Sequence, residues 1–192
     1  MGSVGLKTIR MSLIDQTLNV KGLVRCAMFA ALIAALGLLP PIPVPVIPVP
    51  ITAQTLGVML AGAVLGPKRG VLAVIIFLGV VLLGFPLLSG GRGGLGVFFG
   101  PSAGFLFGWI AGAYVIGLLG ASSLPRLIIA CGLGGIVAVY LVGVPWMAAV
   151  SDMSLSQALL TSMVFLPGDA VKAILAAITA RAIQRGYPAI MT

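Results

Sequence analysis

The sequence predicts an all-α integral membrane protein. It reads as a bundle of six transmembrane helices whose Pro-rich and Gly-rich outward loops form a ligand pocket. Three observations carry this. The 192 residues are 60% hydrophobic and 7% charged, with mean hydropathy +1.26, where a soluble domain carries about a quarter charged residues. Apolar runs close to the length of a membrane helix recur along the whole chain, so one bundle accounts for it. Two connections between those runs are apolar or glycine-rich yet cannot be helical.

The first 22 residues are polar and mildly basic and read as a cytoplasmic N-terminal arm. Helix 1 is expected over 23–39. It leads into prolines rather than a small-residue cleavage site, so it reads as retained. "PPIPVPVIPVPITAQT", residues 40–55, holds six prolines. Proline blocks helix, so extended backbone is expected there. Helix 2 is expected over 51–65. Fifteen helical residues rise only about 22 Å against a ~30 Å hydrocarbon core, so the proline segment should dip to membrane depth. Irregular backbone is tolerated there only against protein or a water-filled cavity. "GPKRG", 66–70, reads as a tight basic loop before helix 3 over 71–88.

"SGGRGGLGVFFGPSAG", 89–104, carries seven glycines in 16 residues. Helix 4 is expected over 102–119 and helix 5 over 127–144. Residues 145–157 read as a longer polar segment with Trp146 at the interface. An apolar stretch over 158–166 leads to Pro167, where helix 6 starts, ending near Gln184. The transmembrane domain is thus 23–185, with 186–192 a cytoplasmic tail.

The net charge of +8 does not indicate nucleic acid, because the basic residues are spread over short segments rather than clustered on one face. They read as topology signals. With six spans, nine of the eleven basic residues fall on the side of both termini, the exceptions being Arg92 and Lys172. The positive-inside rule then makes both termini cytoplasmic and the chain a multi-pass protein of the cytoplasmic membrane. Cys26 and Cys131 sit in apolar runs and read as buried packing residues.

The irregular features collect on the outward side. Among them is "FLPGDAVKAIL", 165–175. The chain has only three acids (Asp15, Asp152, Asp169) and no Glu or His. Pro167 suits the first turn of a helix, and Asp169 then sits where the helix dipole favours an anion. Asp169 and Lys172 at i,i+3 share a face. A charge in a membrane helix costs at least about 2.5–3.5 kcal/mol and is by default functional. The plain alternative is a cap with a snorkelling lysine. Arg92 is either a solvated loop residue or a ligand contact, with Gly91, Gly93 and Gly94 allowing close approach of backbone to ligand. Thr52 and Gln54 are candidate polar contacts. Phe98, Phe99 and Phe165 are either apolar lining or packing. Ala27, Ala31 and Ala35 form a small-residue face on helix 1, either for internal packing or for a partner helix.

No phosphate-binding loop for ATP is present, and the lack of His excludes the common hydrolase arrangements. No residue set carries an enzyme, and no cofactor is expected. The chain binds something and has no evident motor of its own.

"IPVPITAQTLGVMLAG", "GPKRG", "GGRGG", "FFGPSAG" and "FLPGDAVKA" together resemble the BioY family. That family is the biotin-binding S component of energy-coupling factor (ECF) transporters. The resemblance runs from about Val24 to Arg185. It implies six membrane helices and capture of biotin from outside. It implies as partners a transmembrane coupling protein and two ABC-type ATPases. Ala27 and Ala31 would meet the coupling protein, and Asp169 and Lys172 would bind the ligand with the glycine loop closing over it. The sequence departs from some members at Arg92, where those carry Asn. The alternative function is a stand-alone facilitator or secondary transporter of biotin or another small organic anion, with Lys172 and Arg92 as anion contacts.

Overall fold

A computed structural model describes residues 19–44, 48–120 and 123–187. Most of the predicted N-terminal arm and C-terminal tail lies outside these residues. The described part is helical: α1 (Val20–Gly37), α2 (Gln54–Leu82), α3 (Ala103–Leu119), α4 (Leu124–Val150) and α5 (Leu155–Gly186). Four of these, all but the 17-residue α3, are long and apolar enough to cross a membrane.

Asn19 starts α1 three residues earlier than expected. Its Oδ1 accepts from Gly22 N at 2.6 Å, satisfying a first-turn donor. α1 buries Gly22, Cys26, Ala30, Ile33 and Gly37 along one stripe. Residues 45–47 of the predicted proline segment lie outside the described residues, and the parts on either side of them pair with each other. Ile42 and Ile51 exchange N–H···O bonds of 3.0 Å, using residues that keep an N–H between prolines. Ile51 therefore belongs to this pairing and not to the following helix.

The expected loop at 66–70 shrinks to one residue. Within α2 only Gly66 leaves helical geometry, at φ 78° and ψ −177°, and Pro67 begins the second arm. The kink folds the arms together. A Cβ on Gly70 would lie 2.9 Å from Ala61 O, where nine residues of straight helix would separate them by about 13 Å. α2 ends at Leu82, six residues before the expected boundary, because Gly84 (φ 103°) and Pro86 break the helix.

α4 is longer than expected at both ends. It runs on through Pro145 and Trp146 to Val150, so the predicted polar segment is largely helix. Within it, Leu133–Ala138 forms a π-helical turn. α5 also starts early. Ser154 and Gln157 form a capping box, and Leu155–Ser162 is helical. A 3₁₀ turn at Met163–Phe165 then leads into Leu166–Gly186. Pro167 sits in the first turn of that last segment, with Asp169 also in that turn.

α2 is the central element, packed against α1, α3 and α5, with α4 closing against α3 and α5. The helices approach closely through glycine. A Cβ on Gly62 would lie 2.7 Å from Ala113 O, and one on Gly134 2.6 Å from Gly112 O. Cys26 and Cys131 are both free and fully buried, as packing residues would be.

The two ends of the bundle differ. Cys26 Sγ lies 3.4 Å from Arg69 O, Gly117 abuts Gly66 and Pro67, and Gln184 Nε2 reaches Ala63 O at 3.4 Å. These contacts gather Lys21, Arg25, Lys68, Arg69, Arg181 and Arg185 at one end. Arg126, in the first turn of α4 just after α3 ends, joins them. The proline segment, the glycine loop and the start of Leu166–Gly186 lie toward the other.

Gly134→Ala tests the close packing. The added methyl meets the backbone of α3, so unfolding in detergent should show a loss of about 1–3 kcal/mol. Gly132→Ala is the control, because a Cβ there meets nothing within 4 Å.

Candidate ligand-binding site

At the end opposite the basic cluster lies a cleft of about 580 Å³, counting its open mouth. Its walls come from the proline segment, the glycine loop and helices α2 to α5. The proline segment and start of α2 supply Val49, Pro50, Ile51, Thr52, Gln54 and Thr55. The glycine loop supplies Leu88 and Arg92. The first turns of α3 supply Ser102, Phe105, Leu106 and Trp109. α4 supplies Val139 and Tyr140, and α5 supplies Phe165, Asp169 and Lys172.

Asp169 is the centre of the polar part. It is 5% exposed and both carboxylate oxygens are engaged. Lys172 Nζ donates to Oδ1 at 2.8 Å, and the Tyr140 hydroxyl donates to Oδ2 at 2.7 Å. Lys172 also reaches Thr55 Oγ1 at 3.4 Å. The pair is neutral overall and hydrogen-bonded on both sides, which offsets the desolvation of a buried carboxylate. The i,i+3 spacing produced the pairing expected of it. Both residues also line the cleft, which a cap with a snorkelling lysine does not require.

Arg92 is held by the glycine loop. Leu88 and Arg92 pair through backbone bonds of 3.0 and 3.2 Å, with Gly90 and Gly91 at φ 81° and 70° making the reversal. The Arg92 side chain donates from Nε to Ser89 O and from NH1 to Ser102 Oγ, both at 3.3 Å. It is thus a fixed, partly buried wall residue rather than a freely solvated one.

Thr52, Gln54 and Phe165 line the cleft, with Phe165 edge-on to Phe105. Gln54 is taken up by the fold itself. Its Nε2 donates to Ile33 O and Leu87 O, both at 3.1 Å, and its Oε1 accepts from Ser89 N at 3.0 Å. Both amide hydrogens are used, so Gln54 lines the cleft and is at the same time a bracket joining α1, α2 and the glycine loop. Gly91, Gly93 and Gly94 shape the loop and are not among the lining residues. A Cβ on Gly93 would collide with Phe85 O, so that glycine permits backbone packing. Phe98 packs near Phe107 and Phe99 is exposed, and neither lines the cleft. Ala27, Ala31 and Ala35 are exposed on the α1 face opposite the core.

Sequence reasoning missed Ser102, Phe105, Trp109 and Tyr140. Tyr140 carried a usable signal, being a hydroxyl-bearing ring inside an apolar membrane run, where a buried O–H needs a partner.

A paired acid and base inside an apolar helical bundle, facing a small-molecule cleft, define a membrane-embedded ligand-binding protein. The comparisons make the class specific. The BioY family model matches residues 10–189. A biotin transporter BioY of Rhizobium etli is 50% identical over 181 residues, covering 89% of this chain and 97% of the relative. A probable biotin transporter BioY of Bacillus subtilis is 47% identical, covering 80% and 85%. A crystal structure of the S-component for biotin from an ECF-type ABC transporter superposes with TM-score 0.81 at 39% identity, covering 86% of this chain and 92% of that one. The chain belongs to the BioY family.

Gln54→Leu tests the bracket. It leaves Leu87 O and Ser89 N without their side-chain partner and takes a second donor from Ile33 O, at about 1–3 kcal/mol for each group left unpaired. Ligand-free protein should unfold markedly more easily in detergent. Unchanged stability with lost ligand affinity would make Gln54 a direct contact instead.

Proposed function

We propose that this chain is the membrane subunit that binds biotin and mediates its uptake across the cytoplasmic membrane, energised by ATPases on partner chains. It is a transporter component and not an enzyme. The observation that carries this reading is the cleft itself. It joins a neutral acid–base cluster, a separate arginine and an aromatic wall, in a fold shared with a biotin S-component.

Biotin offers a ureido ring with two N–H donors and a carbonyl, an apolar body, and a carboxylate. In this reading Asp169 accepts from ureido N–H and Lys172 donates to an oxygen. Arg92, which shares no hydrogen bond with the Asp169 cluster, meets the carboxylate. Phe105, Trp109 and Phe165 cover the apolar body. Thr52 lines the mouth, and the loop built on Gly91, Gly93 and Gly94 closes over the ligand.

The same reading counts six passes, with the kinked α2 as two of them over 54–65 and 67–82. Both termini are then cytoplasmic, on the basic end, and the cleft opens outward. The domain is 23–185, between a cytoplasmic arm (1–22) and tail (186–192). The partners are an ECF transmembrane coupling protein, met by Ala27 and Ala31, and two ABC-type ATPases. The exposure of both alanines on α1 supports this.

Biotin binding to the purified chain, stripped of endogenous biotin, tests the ligand. Asp169→Asn and Lys172→Ala should each weaken it about ten- to hundredfold. A folded native chain that binds no biotin would overturn the assignment.

Ala27→Trp or Ala31→Trp should abolish biotin uptake in cells and leave binding within about twofold. Binding and uptake falling together would place the partner contact elsewhere. Uptake by the chain alone in liposomes would replace this reading with the stand-alone one.

A further inference from the structure

Tyr140 has a more specific part in the cleft than that of a wall residue. The phenol is 9% exposed and packs edge-on against Phe105, ring centroids 6.1 Å apart. Its hydroxyl proton is donated to Asp169 Oδ2 at 2.7 Å. Lys172 takes Oδ1 at 2.8 Å. An ionised carboxylate offers about four lone-pair positions. One on each oxygen is filled, by groups on α4 and α5, which holds the carboxylate against rotation. The remaining acceptor positions are then fixed in direction.

Lys172 is held in turn by Asp169 and Thr55, which leaves one of its three N–H donors. The cluster therefore presents fixed acceptors on Asp169 beside one donor on Lys172. That pattern complements a cyclic urea, whose carbonyl is flanked by N–H groups.

We propose that Tyr140 is a positioning and specificity-determining residue, aiming the Asp169 carboxylate at the N–H donors of a urea-type ring. This rests on the reading of the cleft as a biotin site. Without the phenol hydroxyl the carboxylate keeps its charge partner and loses its orientation, and the ligand meets an acceptor that must be ordered on binding.

The test is a double-mutant cycle for biotin binding in detergent, using the native chain, Tyr140→Phe, Asp169→Asn and the combination. Tyr140→Phe should weaken biotin roughly tenfold. In the Asp169→Asn background the same change should cost less than about twofold, because the group it acts through is gone. Infrared spectroscopy of the ligand-free protein gives an independent readout. With three Asp and no Glu in the chain the carboxylate band is sparse, and Tyr140→Phe should shift a component that Asp169→Asn removes. Unchanged affinity in Tyr140→Phe, losses that multiply in the double variant, or an unshifted band would overturn the proposal while leaving biotin binding in place. A native chain that binds no biotin removes the underlying reading and this proposal with it.

Discussion

A carboxylate buried in an apolar bundle must be paired, and much of the end of the bundle opposite the basic cluster is arranged around that requirement. Asp169 reaches ionic and hydrogen-bond partners from its own helix and from α4, and the lysine that neutralises it is tied to the start of α2. Three helices thus meet at one charge. Removing Asp169 or Lys172 leaves the other charge without compensation, which is far costlier than never having placed it there. The cluster is therefore both a binding surface and a junction, and its geometry is set before a ligand arrives.

The second constraint is backbone satisfaction. Irregular chain at membrane depth needs partners for its N–H and C=O groups. The proline segment has few N–H groups to satisfy and pairs two of them within itself at Ile42 and Ile51. The glycine loop pairs Leu88 with Arg92 and hands Leu87 O and Ser89 N to Gln54. One amide side chain so replaces the secondary structure that the loop cannot form. Gly37 belongs to the same device, since a Cβ there would strike Leu87 O and lie 2.8 Å from Gln54 Nε2.

Much of the architecture was legible because membrane physics writes it in composition. Charge scarcity marked Asp169 and Lys172, the distribution of basic residues matched one end of the bundle, and Pro and Gly marked the irregular connections. Helix boundaries were less legible. Pro145 and Trp146 read as an exit from the membrane, yet α4 runs through them, because Trp146 Nε1 bonds to Gly100 O at 3.0 Å and its side chain packs over Gly104. The "GPKRG" stretch reads as a loop because Gly and Pro are adjacent. A single positive-φ residue performs the whole reversal, and periodicity cannot distinguish the two. Gln54 was visible as a polar residue, but its full set of hydrogen bonds was not. Its three partners are backbone groups of Ile33, Leu87 and Ser89, which carry no sequence signal. Tyr140 hid for a related reason: its partner lies 29 residues away on another helix.

Gln54 ties the glycine loop to α1 as well as to α2. Its acceptor Ile33 O lies on α1, the helix whose opposite face exposes Ala27, Ala31 and Ala35. Its other two bonds hold the loop that carries Arg92 into the cleft. A displacement of that loop is resisted directly by α1 rather than through a chain of soft side-chain contacts. Gly57 reinforces this, as a Cβ there would lie 2.9 Å from Ile33 Cγ1, so α1 and α2 meet at near-backbone distance. The glycine loop is thereby attached to the helix with the exposed small-residue face so that the two move as one body, because tightly packed interfaces transmit displacement with little deformation.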